Sequence, residues 1–251
     1  LDGALGLNLL TTGAGGNITL GQVTTTTGGV TLTNSNLLTL LGNVFSFGTF
    51  LQQAGTGGTP TLDIGVTSNG NVLNIQTTNV GSAIDIGSAT KLNQSAALIA
   101  AGNGSVDLRS TVNSNTTTAR SLNISNTGGT ITMAGAIGIA SSTPSSALSL
   151  ININAGAAGA INLNGGAITT STSAGQIYTG SINLGNANLT LTANGTGVLT
   201  FNGNINGTQN LTMTTAGAIN FNGNVGATNS LGDMFITGAN PSGFTITGTV
   251  N

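Results

Sequence analysis

Along most of this chain, apolar side chains come in pairs two residues apart with a polar residue between them. Leu122-Asn-Ile124, Ile161-Asn-Leu163 and Leu211-Thr-Met213 are examples. A period of two is that of a β-strand, with both apolar side chains on one face and the polar one on the other. Clusters of Gly, Asn and Ser separate the pairs, and Gly and Asn tolerate the positive φ that tight turns require. No segment carries a helical stripe longer than two turns. The one helix-like stretch, around 94–101, reads better as a strand plus a corner.

The pairs belong to one sentence written several times. It reads SLNISNTGGTITMAGAI at 121–137, INLNGGAI at 161–168, NLTLTANGTGVLTFNGNI at 188–205, NLTMTTAGAINFNGNV at 210–225 and MFITGANPSGFTITGTV at 234–250. Its parts are a strand, a turn, a second strand introduced by Gly, and a third apolar position. First-strand pairs are Leu73/Ile75, Leu122/Ile124, Leu189/Leu191, Leu211/Met213 and Met234/Ile236. Second-strand pairs start at Ile18/Leu20 and Leu62/Ile64 and continue through Ile84/Ile86, Val106/Leu108, Ile131/Met133 and Ile161/Leu163. They end with Leu199/Phe201, Ile219/Phe221 and Phe244/Ile246. The third apolar position falls at Val112, Ile137, Ile168, Ile205, Val225 and Val250.

Three short strands per unit of about 20 to 29 residues predict an all-β fold, a parallel β-helix (β-solenoid) in which each unit is one coil. Coils stack at roughly 4.8 Å, so about ten of them make a rod on the order of 50 Å long. The expected organisation is a single solenoid over 1–251, less regular over 1–60 and regular over 61–251, with an insertion or extra coil near 165–188. The word FNGN occurs at 201–204 and again at 221–224. Stacking predicts that Phe201 and Phe221 share one inward position in successive coils. It also predicts that Asn202 and Asn222 form an amide ladder at one corner.

Composition narrows the function. The 251 residues include no Cys, His, Trp or Glu; the ionisable side chains are five Asp, two Arg, one Lys and one Tyr. Charged residues make up 3% of the chain, against roughly 25% in an ordinary globular protein. Disorder goes with high net charge and few aliphatic residues, whereas here the net charge is −2 and 38% of residues are hydrophobic. Nucleic-acid binding lacks its basic footprint. No apolar run approaches the roughly 18 residues of a membrane span, and the longest candidate, SAALIAAG at 95–102, is far shorter. The opening LDGALGLNLL, without Met or a basic start, is expected of a mature or excised segment. Without Cys there is no disulfide framework.

The stretches AIDIGS (83–88), SVDLRS (105–110), SLNIS (121–125), AINLNGGAI (160–168) and the run from Gly175 to Gly226 resemble the repeat region of bacterial large exoproteins of the filamentous-haemagglutinin type. These proteins are secreted by two-partner or autotransporter routes. The resemblance covers most of 60–251. It implies a right-handed β-helix exported to the bacterial cell surface or medium, a stalk or filament-forming element in adhesion or surface-matrix construction. No amino-terminal secretion module of that family is recognisable, which fits a segment of something longer.

Candidate chemistry is sparse. Asp63, Asp85 and Asp107 are evenly spaced, each the polar residue of a second-strand pair, so they form a vertical column on this reading. Like charges about 5 Å apart repel by roughly 1 kcal/mol even in water, and Ca²⁺ would relieve that. The bland explanation is that solvent and Arg109, two residues from Asp107, screen them. The same column also holds Thr19, Thr132, Asn162, Thr200, Asn220 and Thr245, so it reads as a polar outer face. No metal or cofactor is assigned. Polysaccharide-cleaving enzymes of this fold need clustered carboxylates; here the acids fall one per coil, and Tyr178 and Asp233 have no evident partner. No catalytic residue is assigned, and the chain is expected not to be an enzyme.

Thr-rich outer positions, including TTTT at 24–27, raise the alternative of an ice- or glycan-binding solenoid. Against it, Thr, Asn, Asp and Ser mix in the outward columns, and Thr suits exposed strands in any case. The N-x-[ST] triplets at Asn188-Leu-Thr190 and Asn210-Leu-Thr212 are expected by chance in so Asn- and Thr-rich a chain. Neither terminus reads as a polar cap, so the ends are expected to be covered by more of the same chain or by end-to-end copies. A host-surface or glycan ligand is the other partner this reading leaves room for.

Overall fold

Strands of two to five residues, such as Val23–Thr24 and Val30–Asn34, are too short to hold a fold alone. They gain stability only where each turn of chain covers the next. The structure, a computed structural model, describes residues 5–66, 70–115, 118–139, 146–171, 173, 175–238 and 243–251. In it the chain is an all-β parallel solenoid of about 10 turns with ~23 residues per turn and three parallel sheet faces.

Face one is a nine-stranded sheet from Leu7–Leu10 to Ile205–Asn206, continued by the single paired residues Val225 and Val250. Face three has ten strands, from Val23–Thr24 to Gly243–Ile246. Face two is in two pieces. Five strands run from Ile18–Leu20 to Val112–Ser114, and four from Ala167–Thr170 to Met234–Thr237. One residue, Ile137, bridges Val112 and Ile168 between them.

The apolar pairs point inward on all three faces. Leu32, Leu38, Ile75, Ile84, Ile131, Ile161, Leu191 and Ile219 are each fully buried in one continuous cluster. Each buried Leu or Ile contributes about 1.5–3 kcal/mol by leaving water. The segment around 94–101 is the strand Ala96–Ile99.

The second-strand pairs do not form one column. Ile18/Leu20 and Leu62/Ile64 lie on face two; Ile84/Ile86 through Ile161/Leu163 lie on face one; Leu199/Phe201 onward lie on face three. The polar residues between them divide in the same way: Thr19 on face two, Thr132 and Asn162 on face one, Thr200, Asn220 and Thr245 on face three. All three faces carry the same in-out alternation, so alternation alone does not say which face a strand joins. Turn length does, and it is uneven: the turn leaving Leu199 closes at Ile219, whereas the one leaving Phe50 closes only at Ile84. The stretch 165–188 carries Ala167–Thr170 on face two, Gln176–Thr179 on face three and Ser181–Leu184 on face one. Across this stretch the repeated sentence moves one face round. Its two strands fall on faces three and one before it, and on faces two and three after it.

Every letter of FNGN has a structural role. Phe201 and Phe221 are partners in register, with ring centroids 4.9 Å apart and planes 11° from parallel. Asn222 Nδ2 donates to Asn202 Oδ1 at 2.8 Å, as the ladder requires. A β-carbon at Gly203 would collide with the Gly180 carbonyl, and one at Gly223 with Gly203, so this corner admits only glycine. The last Asn is a second ladder: the Asn224 backbone N–H donates to Asn204 Oδ1, and the Thr249 N–H to Asn224 Oδ1, both at 2.9 Å. Tyr178, partnerless in the sequence, begins the ring stack, lying 5.5 Å from Phe201, and Phe244 ends it edge-on, 5.7 Å from Phe221.

Candidate functional site

Six of the eight charged residues gather in one belt. Asp63, Asp85, Lys91, Asp107, Arg109 and Arg120 all fall between positions 63 and 120, and nothing from 121 to 232 is charged. The belt does not hold the expected column of three carboxylates. Asp85 and Asp107 are partners in register on face one, but Asp63 lies on face two, where its partners are Thr39 and Lys91. The chain leaving Asp63 completes its circuit only at Lys91, so Asp85 stops one face short of it. Spacing equal to a turn length is evidence of a column only where turns are of equal length.

Each of these three carboxylates has its own partner. Asp63 accepts from Lys91 Nζ at 3.3 Å and from Asn93 Nδ2 at 3.1 Å. Asp85 is gripped by Arg109 from the turn above: Nε donates to one carboxylate oxygen at 2.6 Å while Nη2 donates to the other. Arg109 therefore does face its own strand's neighbours, yet its fork closes on Asp85 rather than on Asp107. That hydrogen bond, then the Asp85 charge, holds the guanidinium above its ordinary pKa, with Asp107 adding a smaller push. Asp107 accepts instead from Ser105 Oγ at 3.0 Å. Among the described residues no three carboxylates, His or Cys gather as metal ligands do.

Two shallow grooves flank the belt. One on face one, about 460 Å³, is lined by Leu51, Gln53, Ala54, Asp85, Gly87 and Arg109. The other on face two, about 560 Å³, runs past Asn36, Thr61, Asp63, Lys91, Asn113 and Ser146. Both are troughs between outward side chains, each with an ion pair along it: Asp85–Arg109 in the first and Asp63–Lys91 in the second.

Within the apolar lumen beneath the belt sits a buried amide network, which sequence reading missed. Gln52 is fully buried between Leu32 and Ile86 in register. Its Nε2 donates to Asn34 Oδ1 at 2.6 Å and Ser88 Oγ at 2.7 Å, and its Oε1 accepts the N–H groups of Gly87 and Ser88. Asn34 Nδ2 passes the network on to the carbonyls of Asn36 and Thr61. A buried amide is tolerated because each of its groups is paired. The signal was in the chain: FLQQA places Gln at an inward position of an otherwise apolar alternation.

Tyr178 carries a second buried polar group, at 0% exposure, with its hydroxyl donating to Gln176 Oε1 at 2.7 Å. Burial pushes its pKa up, because a phenolate there would be stripped of water. A buried, neutral tyrosine with its proton already committed is a packing group. The fold and surface together define a three-faced parallel β-solenoid with paired charges on its wall. No protein-family model, curated protein or solved structure matches the chain.

Proposed function

We propose that this chain is an extracellular structural or adhesive element, a stalk or filament-forming stretch of a bacterial surface exoprotein. The observation that carries the reading is the lumen. One buried cluster runs without a break from Ile18 to Val225, each turn covering the apolar side chains of the one before it. Cohesion of this kind extends turn by turn along one axis, which is what a stalk or filament requires. The walls support it too: carboxylates held by Lys91 and Arg109, and amide ladders elsewhere, suit rigidity rather than turnover. The likeness of the repeats to haemagglutinin-type exoproteins points the same way, and such a role is neither enzymatic nor intracellular.

Electron microscopy of the purified chain at rising concentration tests this. Slender rods with a length on the order of 50 Å per copy, joining end to end, are expected. Strictly single short particles at every concentration overturn the filament reading. Fractionation of the native source that finds the chain in the cytoplasm overturns the surface one.

A further inference from the structure

Above Ile137, the outer surface of face two is unlike any other part of the wall. Its strands Ala167–Thr170, Leu189–Ala193, Leu211–Thr215 and Met234–Thr237 pair in strict register. The outward positions form two columns. One is Thr169, Thr192, Thr214 and Thr237; the other is Ala167, Thr190, Thr212 and Phe235. All but Ala167 and Phe235 are therefore Thr. The other two faces of the same turns are built differently. Face three carries Ile177, Thr200, Asn220 and Thr245 in one column, and face one carries Asn162, Asn183 and Asn206. A general preference for Thr on exposed strands accounts for scattered members such as Thr132, Thr200 and Thr245; here Thr fills one column over four successive rungs.

From this we propose that the Thr rank is an ice-binding surface. Rungs about 4.8 Å apart, crossed by positions about 6.7 Å apart along each strand, give a two-dimensional grid of hydroxyls and methyls. Such a grid has only one kind of ligand that repeats in both directions at molecular spacing: a crystalline surface. A periodic face gains from a periodic solid because every rung binds once the first has bound.

The grid is preorganised. A β-branched side chain has few rotamers to lose, the strand register fixes each Cα, and Thr214 Oγ1 and Thr237 Oγ1 are already hydrogen-bonded at 2.7 Å. Methyl groups shed water on contact while hydroxyls replace lattice hydrogen bonds. None of the four strands of the rank carries a charged residue to hold a competing hydration shell; Asp233 lies just before the last of them. A crystalline polysaccharide is the other periodic solid. Sugar rings, however, are gripped by aromatic faces, and the three lower rungs offer only Thr and Ala167.

The test is ice recrystallisation and thermal hysteresis with the purified chain, alongside the double variant T192Y/T214Y. A control pair, T132Y/N162Y, sits at outward, in-register positions of face one. Circular dichroism and melting confirm that each variant is folded. The native chain and the control are expected to slow recrystallisation. The face-two variant is expected to lose about tenfold, since two rings on adjacent rungs break the flat match that a rigid contact relies on. A native chain no better than an inert protein overturns the proposal. So does equal loss in both variants, or retention on crystalline cellulose or chitin without effect on ice. None of these outcomes bears on whether the rods join end to end.

Discussion

Face two presents the same backbone twice and surfaces it differently. In its lower piece the outward column reads Thr19, Thr39, Asp63, Lys91 and Asn113; in its upper piece the column reads Thr169, Thr192, Thr214 and Thr237. The lumen beneath changes as well. Under the belt sits the Gln52 amide network, whereas the upper turns hold the ring stack of Tyr178, Phe201, Phe221 and Phe244. The backbone ladder is common to both, so it supplies the architecture and the side chains supply the cohesion between turns. In the belt, Phe50 meets its partner only at Ile84, while Ile84 meets the next at Val106; these uneven turns come with discrete hydrogen-bonded clusters. Higher up, face three steps more evenly through Ile151, Gln176, Leu199, Ile219 and Phe244, and there the ladders and stacks repeat. A long stack needs like residues in register over several successive turns, and the upper turns supply them; in the lower turns amide pairs such as Asn93–Asn115 stand singly among other groups.

The largest expected effect tests the upper region. Phe221→Ala removes the ring between Phe201 and Phe244 and leaves a cavity that the ladders on either side keep from collapsing. A loss of about 3–5 kcal/mol is expected, read as a shift in urea midpoint. Because solenoid turns depend on their neighbours, hydrogen exchange should quicken first in the turns from Leu199 to Ile246 and leave the belt protected. Uniform exchange along the rod would mean that the two regions do not hold independently.

The matching change in the belt is Gln52→Ala. It strands Asn34 Oδ1 and the Ser88 N–H, both of which the Gln52 amide satisfies in the native chain. Each buried group left unpaired costs about 1–3 kcal/mol. Gln52→Leu, equally apolar and larger, should do no better, because the stranded groups remain. A Leu variant as stable as the native chain would show that the network is incidental to the belt.

These two sites show how legible the chain was. Strand positions, the inward Phe pair and the Asn202–Asn222 ladder followed from period-two alternation and a repeated word, since those are local and recur at even spacing. The assignment of strands to faces did not follow. Asp63 seemed to stand under Asp85 because their interval equals that from Asp85 to Asp107, which is a true turn; yet the turn leaving Asp63 closes only at Lys91. The Thr rank was hidden for a related reason: the first-strand pairs from Leu189/Leu191 onward, which flank it on face two, were aligned with Leu73/Ile75 and Leu122/Ile124, which lie on face three. Triplets such as Asn188-Leu-Thr190 look like chance, but Asn188 Oδ1 accepts the Asn210 N–H at 3.0 Å and Thr190 joins the rank. Corner and face are both encoded, at positions that acquire meaning once the register is known.

A smaller effect separates the regions by pH. Tyr178 has its folded pKa raised above the ordinary value of about 10. A raised acid holds its proton in the folded state after the unfolded chain has released it. Its contribution is therefore complete below about pH 10 and is lost as pH rises beyond that. Melting temperature should fall in this alkaline window. Tyr178→Phe should flatten the fall, at a cost of about 1–3 kcal/mol at neutral pH for the Gln176 oxygen left unpaired. An alkaline limb that survives the substitution would place its origin elsewhere.

The smallest effect belongs to the belt's most visible feature. Arg109 is 63% exposed as a side chain and Asp85 14%, so their fork, though bidentate, lies open to solvent on the Arg109 side. Exposed pairs contribute about 0–1 kcal/mol. Arg109→Gln should accordingly lower stability by less than Phe221→Ala or Gln52→Ala. The difference should also vanish in about 1 M salt, where screening reaches only about 3 Å. The Phe221→Ala deficit, being one of packing, should persist undiminished in the same salt. Comparing the two variants in low and high salt thus asks what joins neighbouring turns in each region. If Arg109→Gln were as costly as the ring deletion at both ionic strengths, the belt would owe its cohesion to its surface charges, and the amide network beneath would be secondary.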